Sequence, residues 1–330
     1  MNFALTYNYI KTNKLLFLFS LFSFVLKSQS TIDSTSYSLR ILCANLGNAS
    51  FKYRSWEYKL HNAEEVSNSN KYITAWQPDI LLLSEVYQSA QMNTTVQNGP
   101  ILPSSYSFAC GKSIDRTTGK TAEYIQQNAS HEHECIAWKT EKFMLVDGSE
   151  KSVAGRNDSL GKEICNYDFT GFRVNLVYKT TNDTITAIVV HPDSRKKACR
   201  IVEIENYWSQ LAGNNTNVVI GGDWNTEDNS ELQKPSNFQT VFSKGNYWGL
   251  RHNPKNHTNY FLLYGYRHLD HVYSNFGKPC TNCGSSYGTI NLPHAVEVGG
   301  YNGHPRIDGG FGMDHRQILF DMHITSKKLD

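Results

Sequence analysis

The sequence predicts an α/β protein in which two β-sheets pack face to face and helices cover their outer sides. Three observations predict it. Eight short segments rich in β-branched and aliphatic residues recur along the chain, and only two stretches carry helical spacing. Neither an internal repeat nor a long low-complexity linker divides the mature part of the 330 residues, which suit one large domain over 31–330.

The first element is not part of that domain. Residues 15–26 (LLFLFSLFSFVL) form an apolar run behind Lys11 and Lys14, with small Ser28 and Ser30 at the −3 and −1 positions of a cleavage site. This reads as a signal peptide over 1–30, because the run is short for crossing a bilayer and has the flanks of an exported leader. The mature chain is therefore expected outside the cell or in the periplasm, beginning after Ser30.

Residues 39–44 (LRILCA) open the strand series. Trp56, Leu60, Ala63, Ile73 and Trp76 then recur at helical spacing before Pro78. The runs 79–83 (DILLL) and 135–139 (CIAWK) follow as strands. Segments 172–178 and 184–190 flank Thr181-Asn182-Asp183 and read as a hairpin. Ala198, Ile201, Ile204, Trp208 and Leu211 give the second helical pattern, ahead of strand candidates 217–220, 269–274 and 316–323.

Formal charge is +2, and removal of residues 1–30 takes away three lysines and no acid, leaving −1. Such a balance does not advertise a nucleic-acid partner through the overall field, though a local strip such as Arg195-Lys196-Lys197 can act without it. Seven cysteines fit export, where disulfides persist. Cys280 and Cys283 read as a short-loop disulfide, since zinc needs two more ligands of matching spacing. Cys43, on a hydrophobic strand, is expected to be a buried free thiol.

Polar residues stand repeatedly at strand ends. Asn45 ends the first strand, and Glu85 follows the second. His191 ends the 184–190 strand, and its near-neutral pKa suits a proton acceptor. Gly221-Gly222-Asp223-Trp224-Asn225 follows the run Asn217-Val218-Val219-Ile220, so that Asp223 and Asn225, two apart in an extended chain, are expected to share a face. Asp270 lies on an alternating strand, and Asp314-His315 opens the last one.

The ordered set Asn45, Glu85, His191, Asp223-x-Asn225, Asp270 and Asp314-His315 resembles the endonuclease/exonuclease/phosphatase superfamily, which includes deoxyribonuclease I. The resemblance covers roughly residues 38–324. It implies a four-layer sandwich, two packed and mostly antiparallel β-sheets flanked by helices, with the active cleft at one end. It also implies a metal held by Glu85 with Asn45 and Asp314 close by, Mg²⁺ first and Mn²⁺ or Ca²⁺ as substitutes. Asn45 and Asn225 would position the substrate phosphate, and Asp223 would help align or deprotonate the attacking water. His191 would be the general base, His315 would stabilise the phosphorane or protonate the leaving oxygen, and Asp270 would orient His315. Two further assignments come from the resemblance: Arg173 as a phosphate contact, and Glu134 as the carboxylate that orients His191.

The expected function is an exported, metal-dependent phosphodiesterase, an endonuclease with nucleic acid as substrate and no obligate protein partner implied. The inositol phosphatases' proline-tryptophan-cysteine-aspartate motif is missing. Two alternatives stay open. One is a sphingomyelinase-type phospholipase C acting on membrane lipid, for which the aromatic stretch 260–266 (YFLLYGY) is a candidate membrane hairpin. The other is a catalytically silent binding or toxin-accessory module.

Overall fold

In a computed structural model of the chain, the described residues are 34–46, 63–86, 92–93, 99–111, 133–153, 165, 171–194, 196–247, 250–252, 260–262, 267–279, 296–298 and 317–327. Ser36–Ile324 forms one compact unit. Met1–Thr35 and Thr325–Asp330 group separately, and their described residues are the ends of two strands. Residues 1–30, the Trp56 and Leu60 positions and Cys280 and Cys283 lie outside the described residues.

Two seven-stranded sheets carry the fold. The first contains β1 (Ser34–Asn45), β2 (Ile80–Val86), β3 (Tyr106–Cys110), β4 (His133–Lys139), β14 (Lys278–Pro279), β15 (Val296–Val298) and β16 (Gln317–Lys327). Its order is β14-β16-β1-β2-β4-β3, with β15 on β16. The second contains β5 (Phe143–Leu145), β6 (Lys151–Val153), β7 (Gly171–Tyr178), β8 (Asp183–Val190), β9 (Val218–Asp223), β10 (Gln239–Tyr247) and β13 (Arg267–Ser274). Here the order is β10-β13-β9-β8-β7-β5, with β6 on β7. A separate two-stranded ribbon pairs β11 (Leu250–His252) with β12 (Tyr260–Leu262). Strands β1 and β2 run parallel, as do β8 and β9, while the neighbours of β4, β7 and β13 are antiparallel.

Three buried clusters mark the three interfaces of four layers. Between the sheets lie Leu39, Ile41 and Cys43 of β1, Leu82 of β2, Ile136 of β4, Val174 of β7, Val189 of β8 and Val272 of β13. The residues between them point the other way, as strand alternation requires. Leu42, Leu81, Leu83 and Ala137 meet Val66, Ile73 and Trp76 of helix α1 (Ala63–Trp76). Ile188, Val190, Val218 and Ile220 meet Ile204 of helix α2 (Lys197–Asn206) and the π-helical turn Tyr207–Ala212 that continues it. Each fully buried aliphatic side chain contributes roughly 2 kcal/mol of transfer free energy. The apolar runs read from the sequence are buried on both faces for this reason, and the four-layer sandwich is the fold observed.

The hairpin expected around Thr181-Asn182-Asp183 is present. Strands β7 and β8 pair from Gly171↔Val190 to Tyr178↔Asp183, and Asn182 turns with a φ of 60°. Buried Arg40 adds a polar tie across the first sheet. Its Nε and Nη2 donate to Asp321 Oδ1 and Oδ2 at 2.8 and 2.9 Å, and Nη1 donates to the Trp76 carbonyl at 3.1 Å. Among the described residues, disulfides join Cys110 to Cys135 and Cys165 to Cys199, and Cys43 is free and buried.

Candidate active site at one end of the sheets

The site is built where β1, β2, β4, β8 and β9 end side by side. Asn45 is the last residue of β1 and follows the inward side of Leu39, Ile41 and Cys43. Glu85 requires a local irregularity to join it. Expected just beyond the second strand, it instead lies inside β2, where pairing with β4 slips between Leu83 and Val86. Its backbone has a φ of 54°, and this bulge turns a side chain that strict alternation would send outward.

Asn45 Nδ2 donates to Glu85 Oε1 at 2.9 Å and to Asp223 Oδ2 at 3.3 Å. One amide thus spaces two carboxylates. His191, just past β8, places Nε2 3.2 Å from Glu85 Oε1 and 3.8 Å from Asp223 Oδ2. Its Nδ1 lies 3.9 Å from Glu134 Oε1 on β4. Glu134 is buried, and burial pushes its carboxyl up to about 7 against the pull of His191.

The β8–β9 contact depends on Gly222. Val190 and Gly222 are register partners, and Gly222 has a φ of 152°. A Cβ there would stand 2.0 Å from the Val190 carbonyl oxygen. Only a hydrogen fits, so the two chains can approach and release His191 and Asp223 toward one cleft.

Asn225 departs from the expected shared face. The strand ends at Asp223, and Asn225 adopts a left-handed φ of 50°. Its N–H donates to Asp223 Oδ1 at 2.8 Å, and its Nδ2 donates to the Pro192 carbonyl at 2.9 Å. It therefore braces the segment after His191 and lines an adjoining cleft of about 330 Å³ with Arg200, Thr226, Glu227, Asp228 and Leu269. Asp270 on β13 is the register partner of Asp223, and both are buried.

Arg173 is not brought to the cluster. It shares the outer face of β7 with Gly171, and its Nη1 donates to the Leu211 carbonyl of the π-helical turn at 3.2 Å. Asp314 and His315 lie outside the described residues. Sequence reasoning missed Glu203 on α2, whose Oε2 accepts the Asp193 N–H at 2.7 Å. Its only signal was an acid within an apolar helical pattern.

Ligand atoms of Glu85, His191 and Asp223 all lie within 4.8 Å of one another. The two carboxylates supply hard oxygen donors, and their negative charges favour a cation between them. Cys165, Cys199 and Glu203 are equally close, but the disulfide has consumed both thiols.

No protein-family model matches the chain, and no curated protein matches it. Solved structures do. An endonuclease/exonuclease/phosphatase family protein from Bacteroides thetaiotaomicron is 14% identical, with a TM-score of 0.56 over 88% of this chain and 97% of that one. TDP2 of D. rerio complexed with a single-strand DNA product is 11% identical, with a TM-score of 0.52 over 86% and 98%. A mannosyl-6-phosphatase of Bacteroides thetaiotaomicron is 14% identical, with a TM-score of 0.53 over 86% and 99%. The chain shares the endonuclease/exonuclease/phosphatase fold with them.

Proposed function

We propose that the protein is a metal-dependent phosphodiesterase, an endonuclease that hydrolyses nucleic-acid phosphodiester bonds. The observation that carries this reading is the convergence of Glu85, Asp223 and His191 on one another, spaced by Asn45 and backed by buried Glu134. The fold shared with a DNA-bound neighbour supports nucleic acid as the substrate class. Two disulfides support export after cleavage near Ser30.

Glu85 and Asp223 would hold Mg²⁺, with Mn²⁺ or Ca²⁺ as substitutes, and Asn45, whose Nδ2 donates to both carboxylates, would space them. When bound, the ion supplies relief of negative charge on the phosphate oxygens. The chain's own groups do the rest. His191 Nε2 accepts the proton of the attacking water, and Glu134 beside Nδ1 balances the imidazolium that forms. Asp223 aligns the water. Asn225, on the cleft wall, is assigned to a phosphate oxygen with Asn45, and His315, oriented by Asp270, to the leaving oxygen.

Conversion of supercoiled plasmid by the mature chain, with Mg²⁺ and with EDTA, tests the reading. Wild type is expected to nick only with metal, and His191→Ala to lose about 10²–10⁴-fold of the rate. Plasmid left intact at high enzyme concentration overturns the endonuclease and directs the assay to lipid phosphodiesters and phosphomonoesters.

A further inference from the structure

Glu203 is a fully buried acid on α2 that the mechanism above does not use. Its Oε2 accepts the Asp193 N–H at 2.7 Å, and its Oε1 is buried without a hydrogen bond among the described residues. An ionisable group in such a wall is costly where packing alone is required, because a leucine of similar volume would fill it. That hydrogen bond falls on the main chain two residues beyond His191.

That main chain is held from several directions. Asn225 Nδ2 donates to the Pro192 carbonyl, and Arg200 Nη1 donates to the Asp193 carbonyl at 3.0 Å. Asp193 Oδ1 accepts the Lys196 N–H at 2.7 Å. Glu203 is the inner contact of the set. Cys199 stands one turn earlier on the same helix and is joined by a disulfide to Cys165. A shift of α2 would therefore carry the 191–193 segment with it.

We propose that Glu203 is a positioning residue for the phosphodiester reaction, fixing the 191–193 segment and thereby the placement of His191 among Glu85, Glu134 and Asp223. This deepens the function proposed above and rests on it for its kinetic test. Neither Glu203 oxygen hydrogen-bonds the ring, so its geometric action reaches His191 through the 191–193 main chain.

The experiment compares Glu203→Ala, Glu203→Leu and Glu203→Gln in the full mature chain. Steady-state hydrolysis of bis(p-nitrophenyl) phosphate with Mg²⁺ is read beside the His191 ring resonance in a ¹H–¹³C spectrum at fixed pH, assigned by its loss in His191→Ala. Loss of the acceptor is expected to lower kcat roughly 10–100-fold with KM nearly unchanged, as a misplaced base does. Glu203→Gln keeps a carbonyl acceptor and is expected to stay within about threefold of wild type. The His191 resonance should move in the Ala and Leu variants and stay in the Gln variant. Glu203→Leu keeps the volume and serves if Glu203→Ala does not fold. Wild-type kcat in folded Ala or Leu variants, or a Gln variant as slow as they are, overturns the proposal. If wild type shows no metal-dependent turnover, the functional reading falls, and the resonance alone decides: an unmoved peak in the Ala and Leu variants overturns the positioning role.

Discussion

At Gly222 one hydrogen atom decides whether the site can close. A methyl group there would stand 2.0 Å from the Val190 carbonyl oxygen, a distance no packing adjustment absorbs without parting β8 from β9. Gly222→Ala is therefore expected to cost about 3 kcal/mol or more in urea denaturation, with loss of turnover in whatever remains folded. Asn45→Ala removes an amide that donates to both Glu85 and Asp223. Its Mg²⁺ requirement is expected to rise about 10–100-fold, read from activity against Mg²⁺ concentration. At this scale the sequence was partly legible. Asn45, His191 and Asp223 are where strand periodicity puts them. Glu85 reaches the cluster only through a bulge, and Asn225 takes a left-handed conformation on the wall of the adjoining cleft, neither of which alternation contains. Arg173 had the right neighbours in sequence, yet its parity on β7 sends it outward.

At the scale of elements, the buried Arg40–Asp321 pair joins β1 to β16 and reaches the end of α1. Asp321→Ala would leave a buried guanidinium without its carboxylate and is expected to cost about 3–5 kcal/mol in chemical denaturation. Helix α2 carries a pH signature. Burial pushes Glu203 up to about 8 from an ordinary 4.5, so the folded protein binds more protons than the unfolded chain between those values. Its contribution to stability is accordingly best below about 4.5 and falls as pH rises toward 8. Urea midpoints between pH 5 and pH 8.5 should decline in wild type and decline less in Glu203→Gln. The long apolar runs of β1, β2, β8 and β9 announced themselves because both faces are buried, and β7 by alternation, since its outward side is only half-buried. Short β5 and β6 carry three residues each and add one edge pairing, too little for any periodicity to register. The π-helical turn after α2 was legible only as a continued helix, because Trp208 and Leu211 fit either winding.

For the molecule as a whole, the sandwich was legible because its core is continuous in sequence terms: alternating strands supply both sides of each sheet. The disulfides were legible as a tendency and not as pairs, since pairing depends on register. Cys110 and Cys135 are opposed on β3 and β4, 25 residues apart, and Cys165 and Cys199 are 34 apart. Loop closure of that length is worth about 3–4 kcal/mol per bridge, so Cys110→Ser with Cys135→Ser should lower the urea stability by that order under oxidising conditions.

Cys43 adds one more consequence. Its thiol lies in the layer between the sheets, fully enclosed, and burial together with Asp270 and Asp223 nearby holds its pKa well above the ordinary thiol value. An alkylating reagent can reach it only when the sheets part. The rate at which Cys43 takes up such a reagent under native conditions is thus a clock for the opening of the sandwich, read at the very strand that ends in Asn45.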